Sequence, residues 1–227
     1  MWKRKLWPLL VLTAAVLLSG CHMGGPSEAK IGYLPEADTL VPYLVAEEHY
    51  GENRLLLRRD ALTEQLPFGS ADIAYYPEST VDAFLGNEFL SRFPTRLQEQ
   101  ICDTEIEVCC RFPDNGRTET IRRKIFLLSA TEAGIDMDIV TREGEPLDFF
   151  RDRSRHEILA DDGARTGWWL RSTYTSDRGL AWHIQANGTL GGRTVWQPSG
   201  IRPALCLSRE TELVWREELG GYVPAGA

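Results

Sequence analysis

The residues able to do chemistry are few, and their spacing decides which chemistry is open to them. A thiol or imidazole catalyst needs its nucleophile or base held against an acid. Here that would require a cleft bringing His183 or Cys206 to a carboxylate such as Asp161 or Asp162. No G-x-S-x-G elbow, P-loop or H-E-x-x-H helix accompanies these residues. His22, His49, His156 and His183 are scattered and no C-x-x-C occurs, so neither a metal site nor a cofactor is expected. Asp161-Asp162-Gly163 has the composition of a calcium loop, but without further oxygen ligands it reads as a turn. The stronger candidates are aromatic. Trp169, Trp182 and Trp196, with Arg171 and His183, fall within one short span, and exposed aromatic faces stack on sugar rings or apolar peptide surfaces. Against this stands a structural reading. In it the rings plug a core while Arg171 and Arg202 satisfy buried carbonyls or carboxylates. Trp168 and Trp169 are neighbours, so on a strand one is expected to face inward and one outward.

The elements that must position these groups are mostly strands. Asn53–Arg59, Glu105–Phe112 and Thr118–Leu128 read as strands, with a turn at Pro113-Asp114-Asn115-Gly116. Leu180–Ala186 and Thr189–Val195 flank Asn187-Gly188, a two-residue hairpin signal, and Gly191 and Gly192 should bend or bulge the second strand. Ile201–Leu207 and Leu213–Trp215 supply closing strands. Helices are short. Ser79 with Asp82 has capping-box spacing, followed by Val81, Phe84, Leu85 and Phe89 on one face. Thr95 with Gln98 offers a second start, with Leu97 and Ile101 as its stripe, and Ser129 with Glu132 a third. Gly134–Asp152 is acid-rich and irregular and reads as a surface segment.

The chain of 227 residues suits one domain with a short leader. Its formal charge of −8 argues against nucleic acid and against adsorption to anionic lipid. Lys3, Arg4 and Lys5 precede an apolar run from Leu6 to Leu18, shorter than the roughly 20 residues a bilayer span needs but right for a signal peptide. The run closes on Leu18-Ser19-Gly20-Cys21, which resembles a bacterial lipobox. That resemblance implies cleavage after residue 20, lipid on Cys21, and export to a membrane surface facing the periplasm or exterior. Residues 21–30 then form a tether. Export would permit disulfides. Cys102, Cys109, Cys110 and Cys206 allow three connectivities, and the alternative is that some or all stay reduced as small buried hydrophobes.

Taken together, Trp168-Trp169-Leu170-Arg171-Ser172, Ala181-Trp182 before Asn187-Gly188, and Gly200-Ile201-Arg202-Pro203-Ala204-Leu205 resemble a widespread bacterial family catalogued as domain of unknown function 6273. Phe84-Leu85-Gly86-Asn87 after Ser79, and Lys124–Ser129 with Glu132, look like that family's helix and strand-to-helix turn. The arrangement is also similar to C-type-lectin-like domains, including the formylglycine-generating-enzyme group. That similarity implies an α+β fold of twisted antiparallel sheets with short packed helices and long loops. The enzymes of that group use a late pair of cysteines, where this chain has Cys206 alone, so their chemistry is not carried over. The resulting expectation is a domain over residues 31–216 with a tail at 217–227. Trp168, Ser172, Gly200, Arg202 and Pro203 would be structural, and Trp169, Arg171, Trp182, His183 and Trp196 would contact a glycan or protein ligand. The expected function is non-enzymatic ligand binding at a membrane surface; a secreted enzyme of unrecognised type and a purely structural envelope module are the alternatives.

Overall fold

The computed structural model of the chain describes residues 29–69 and 73–226. The expected signal peptide, Cys21, most of the expected tether and residues 70–72 lie outside the described residues. Two sheets dominate an α+β architecture. The larger is built from β1 (Ile31–Glu36), β2 (Thr39–Tyr50), β3 (Asn53–Arg58), β7 (Ile125–Phe126), β14 (Ala204–Ser208), β15 (Leu213–Arg216) and β16 (Gly221–Pro224). Its seven strands run in the order β15-β16-β1-β2-β3-β14-β7. The smaller is built from β4 (Gln65–Pro67), β10 (Trp168–Thr173), β11 (Leu180–Ile184), β12 (Leu190–Thr194) and β13 (Pro198–Gly200). Its five strands run in the order β12-β11-β10-β13-β4. Two hairpins complete the strands, β5 (Thr104–Cys109) with β6 (Thr118–Arg123) and β8 (Ile158–Leu159) with β9 (Arg165–Thr166).

The chain changes sheet in three residues. β13 ends at Gly200 in the small sheet and β14 begins at Ala204 in the large one, so Ile201-Arg202-Pro203 forms the crossing. The stretch expected to be a tail is part of the large sheet. β16 inserts between β15 and β1, parallel to β1 through Gly32 and Tyr222.

Helices start as their side chains dictate, with one exception. Ser79 Oγ accepts from the Asp82 amide at 2.9 Å and caps α1 (Thr80–Phe84), which continues as a wider π turn to Phe89. Val81, Leu85 and Phe89 are buried, as their spacing predicts. α2 (Thr95–Gln100) is capped by Pro94 with no side-chain hydrogen bond, so Thr95 is its first residue rather than its cap. Leu97 and Ile101 are buried beneath it.

The hairpin of β11 and β12 forms, but not through a two-residue turn. Only Gly188 takes a positive φ, of 78°, while Asn187 Oδ1 accepts from the Thr189 amide and hydroxyl. β12 carries no bulge, because Gly191 and Gly192 serve a different purpose. A Cβ there would come within 2.6 Å of Gln185 Nε2 and of the Tyr174 ring respectively. The irregularity falls instead on β10 opposite β11, between Trp169 and Thr173.

Candidate functional site

Trp168 and Trp169 do not divide between inside and outside; all of β10 is buried. β10, the central strand of the small sheet, is covered on both faces, so strand alternation only chooses which interior each ring enters. Trp168 donates to the His156 carbonyl at 3.0 Å and stacks on Phe150. Trp169 donates to the Leu66 carbonyl at 2.9 Å and meets Phe68 edge-on. Trp182 is 3% exposed and lies flat on Tyr174, with ring centroids 3.7 Å apart. Trp196 alone of the expected tryptophan platform stands in solvent, at 59% exposure. The three rings therefore share no face that a ligand could touch.

Arg171, expected to contact a ligand, is fully buried and belongs to the core instead. Its two terminal nitrogens bind Glu132 at 2.6 and 2.8 Å, and it donates further to the Glu107 and Leu127 carbonyls. Burial works against its charge. The Glu132 carboxylate more than offsets this, and holds the guanidinium above its ordinary pKa. Glu132 is also the acid of a complete capping box: Ser129 Oγ accepts from its amide, and its Oε2 accepts from the Ser129 amide. One carboxylate thus starts a turn and neutralises the core arginine.

Beside this pair lies Glu143, wholly buried inside the segment expected at the surface. Its carboxylate accepts from the Cys109 amide at 2.7 Å and from the Ser172 hydroxyl. Burial raises its pKa above 4.5, with the Arg171 charge working the other way. Phe149 and Phe150 from the same segment are buried too. No periodicity marks such a plug; a Phe-Phe pair amid acids is its one signal.

The geometry for thiol or imidazole catalysis does not assemble. Cys206 is buried with its thiol pushed up to about 12 by desolvation, and Cys109 likewise. Cys102, Cys109, Cys110 and Cys206 are all free thiols. Asp161 is held by Arg58 at 2.7 Å, and Asp162 caps its own turn through the Ala164 amide. Gly163, with a φ of 81°, closes that turn.

Among the expected contacts, His183 lines a pocket. A recess of about 300 Å³ opens at the small sheet, lined among others by Gln65, Thr166, His183, Gln185, Arg193 and Ser199. No carboxylate lines it. His183 Nδ1 and Arg193 Nε are buried yet find no hydrogen-bond partner among the described residues. Burial holds the His183 pKa below 6.5; the Gly191 carbonyl opposes this and the Arg193 charge adds to it, so the ring is neutral at neutral pH. A neutral imidazole offers one donor and one acceptor. Two motif glycines allow the strands to close around it. A Cβ on Gly167 would lie 2.6 Å from the Ile184 oxygen and 3.1 Å from His183 Nε2; one on Gly200 would lie 2.5 Å from the Gly167 oxygen. Trp196 stands on the turn between β12, which supplies Arg193, and β13, which supplies Ser199.

The family model described as Domain of unknown function (DUF6273) matches residues 51–209, which include every strand of this pocket. No curated protein and no solved structure matches the chain.

Proposed function

The chain belongs to the DUF6273 family, and from that premise we propose that it is an exported, lipid-anchored protein whose C-type-lectin-like domain binds a glycan without transforming it. The basic start, apolar run and Leu18-Ser19-Gly20-Cys21 support the anchored half of this reading. The binding half is carried by a polar recess free of carboxylates, two of whose lining residues, His183 and Arg193, each keep a buried nitrogen (Nδ1 and Nε) without a partner among the described residues. Buried polar atoms without partners cost about 1–3 kcal/mol each, a cost that a ligand's own donors and acceptors would remove. Hydroxyl groups fit, since each both donates and accepts, and two glutamines with Ser199 extend the same chemistry along the wall. Trp196 offers the apolar face on which a second ring can stack.

The test is a screen of glycans and cell-wall fragments against the purified protein, repeated with Arg193→Ala, Gln185→Ala and Trp196→Ala. Each change sits at a partly or largely exposed position, so folding should survive, as checked by circular dichroism. Arg193→Ala is expected to weaken binding about tenfold or more, the loss of one hydrogen bond from a charged donor. A screen without a single binder, or binders indifferent to all three variants, would remove the glycan reading and leave a structural envelope role.

A further inference from the structure

We propose that the cavity in front of Arg202, which shares Arg165 with the lining of the glycan recess, is a second binding site, taking an aliphatic carboxylate. It measures about 730 Å³, within the range of small-molecule pockets. Ile31, Leu44, Phe149, Ile158 and Leu159 give it apolar walls. The polar part of the wall is cationic in a chain whose formal charge is −8: four arginines face two carboxylates. Both carboxylates are already engaged, Asp60 with Arg59 at 2.8 Å and Glu157 with Arg165 at 2.5 Å. Arg155 pairs with Asp152 at 3.6 Å and lies over the Phe149 ring.

Arg202 is different. It is 2% exposed, and no carboxylate lies at ion-pair distance from it among the described residues. Its guanidinium donates to the carbonyls of Arg58, Arg155 and Arg59 at 3.0, 3.1 and 3.3 Å, with the Trp168 ring 5.2 Å away on one face. Three of its five N–H groups are thereby used, and two remain. A buried cation held only by neutral carbonyls, on the wall of an apolar cavity, is a built anion receptor. The bidentate match of a guanidinium fork is to a carboxylate, and the apolar walls ask for an aliphatic body behind it. Leu159, 44% exposed, stands at the wall as the apolar residue a bound chain would cover.

The experiment is calorimetric titration of the purified full chain with decanoate, alongside decanol and decyltrimethylammonium as neutral and cationic ligands with the same tail. Decanoate is expected to saturate one site, with the other two at least about tenfold weaker. Arg202→Met should abolish that preference, and a thermal melt reports whether the variant folds. Leu159→Glu, an exposed change that leaves Arg202 in place, should also lose decanoate by repulsion at the wall. Arg193→Ala, in the other recess, should bind decanoate normally, which separates this proposal from the glycan reading. Equal binding of decanol, the absence of saturable decanoate binding, or an unchanged Leu159→Glu variant would overturn the proposal.

Discussion

Two arginines of one sequence pattern end in opposite electrostatic states. Arg171 and Arg202 are both buried and both hold carbonyls, yet Arg171 faces Glu132 bidentately and Arg202 faces no carboxylate at that range among the described residues. The consequence appears in their titration. Arg171 is held above its ordinary pKa, whereas burial, only partly countered by Asp60, pushes Arg202 down to about 9. Arg202 is still cationic at neutral pH. A neutralised cation is part of the core; an unneutralised one beside a cavity is a group with affinity left over.

The sharpest way to break this comparison is to remove the counter-charge. Glu132→Ala should strand Arg171 and cost about 3–5 kcal/mol in urea denaturation, enough to threaten folding itself. The pair replacement Arg171→Met with Glu132→Leu should recover most of that loss, because neither charge is then left alone. If Glu132→Ala melts like the parent, the core role assigned to the pair is wrong. Trp169→Ala, which empties a packed site against Phe68, should cost a similar 3–5 kcal/mol. Arg202→Met should cost less, about 2 kcal/mol, since it loses hydrogen bonds to carbonyls but strands no charge. A cost equal to that of Glu132→Ala would erase the distinction between the two arginines.

A smaller effect is expected from pH. The folded pKa of Glu143 is raised, so between 4.5 and that higher value the folded state binds more protons than the unfolded chain. The contribution of this group to stability is therefore full below 4.5 and is lost as pH rises through the folded pKa. Glu143→Gln, which cannot ionise, should flatten that part of the stability profile; an unchanged slope would mean that other groups set it. Smallest of all, Trp196→Ala should move the unfolding free energy by no more than about 0.5 kcal/mol, since its ring is in solvent.

Much of the fold was legible because local chemistry sufficed. Ser79 caps the helix that begins beside it, Ser129 caps its own turn, and Asn187-Gly188 brings two strands together, all through groups a few residues apart. The features that escaped depend on distance in sequence. Whether Trp169 faces solvent is decided by Phe68 and the Leu66 carbonyl, about a hundred residues away, which cover the second face of the sheet. Whether Arg171 is a ligand contact or a core ion is decided by Glu132, and near Glu143 in sequence only the Phe149-Phe150 pair marks a plug. The recess at His183 shows the same limit. Its histidine stood out, and Gln185 and Arg193 come with the local hairpin, but Ser199 joins them only once β13 is laid parallel to β10.

The insertion of β16 beside β1 has a mechanical side. β1 follows directly on the residues that lead out of the domain, and it is an interior strand, laddered to β2 across six residue pairs and flanked by β16. A pull transmitted through those leading residues cannot peel β1 from an edge. It loads a strand bonded on both sides, through six residue pairs to β2 and one to β16, so the sheet meets that pull with its closed side.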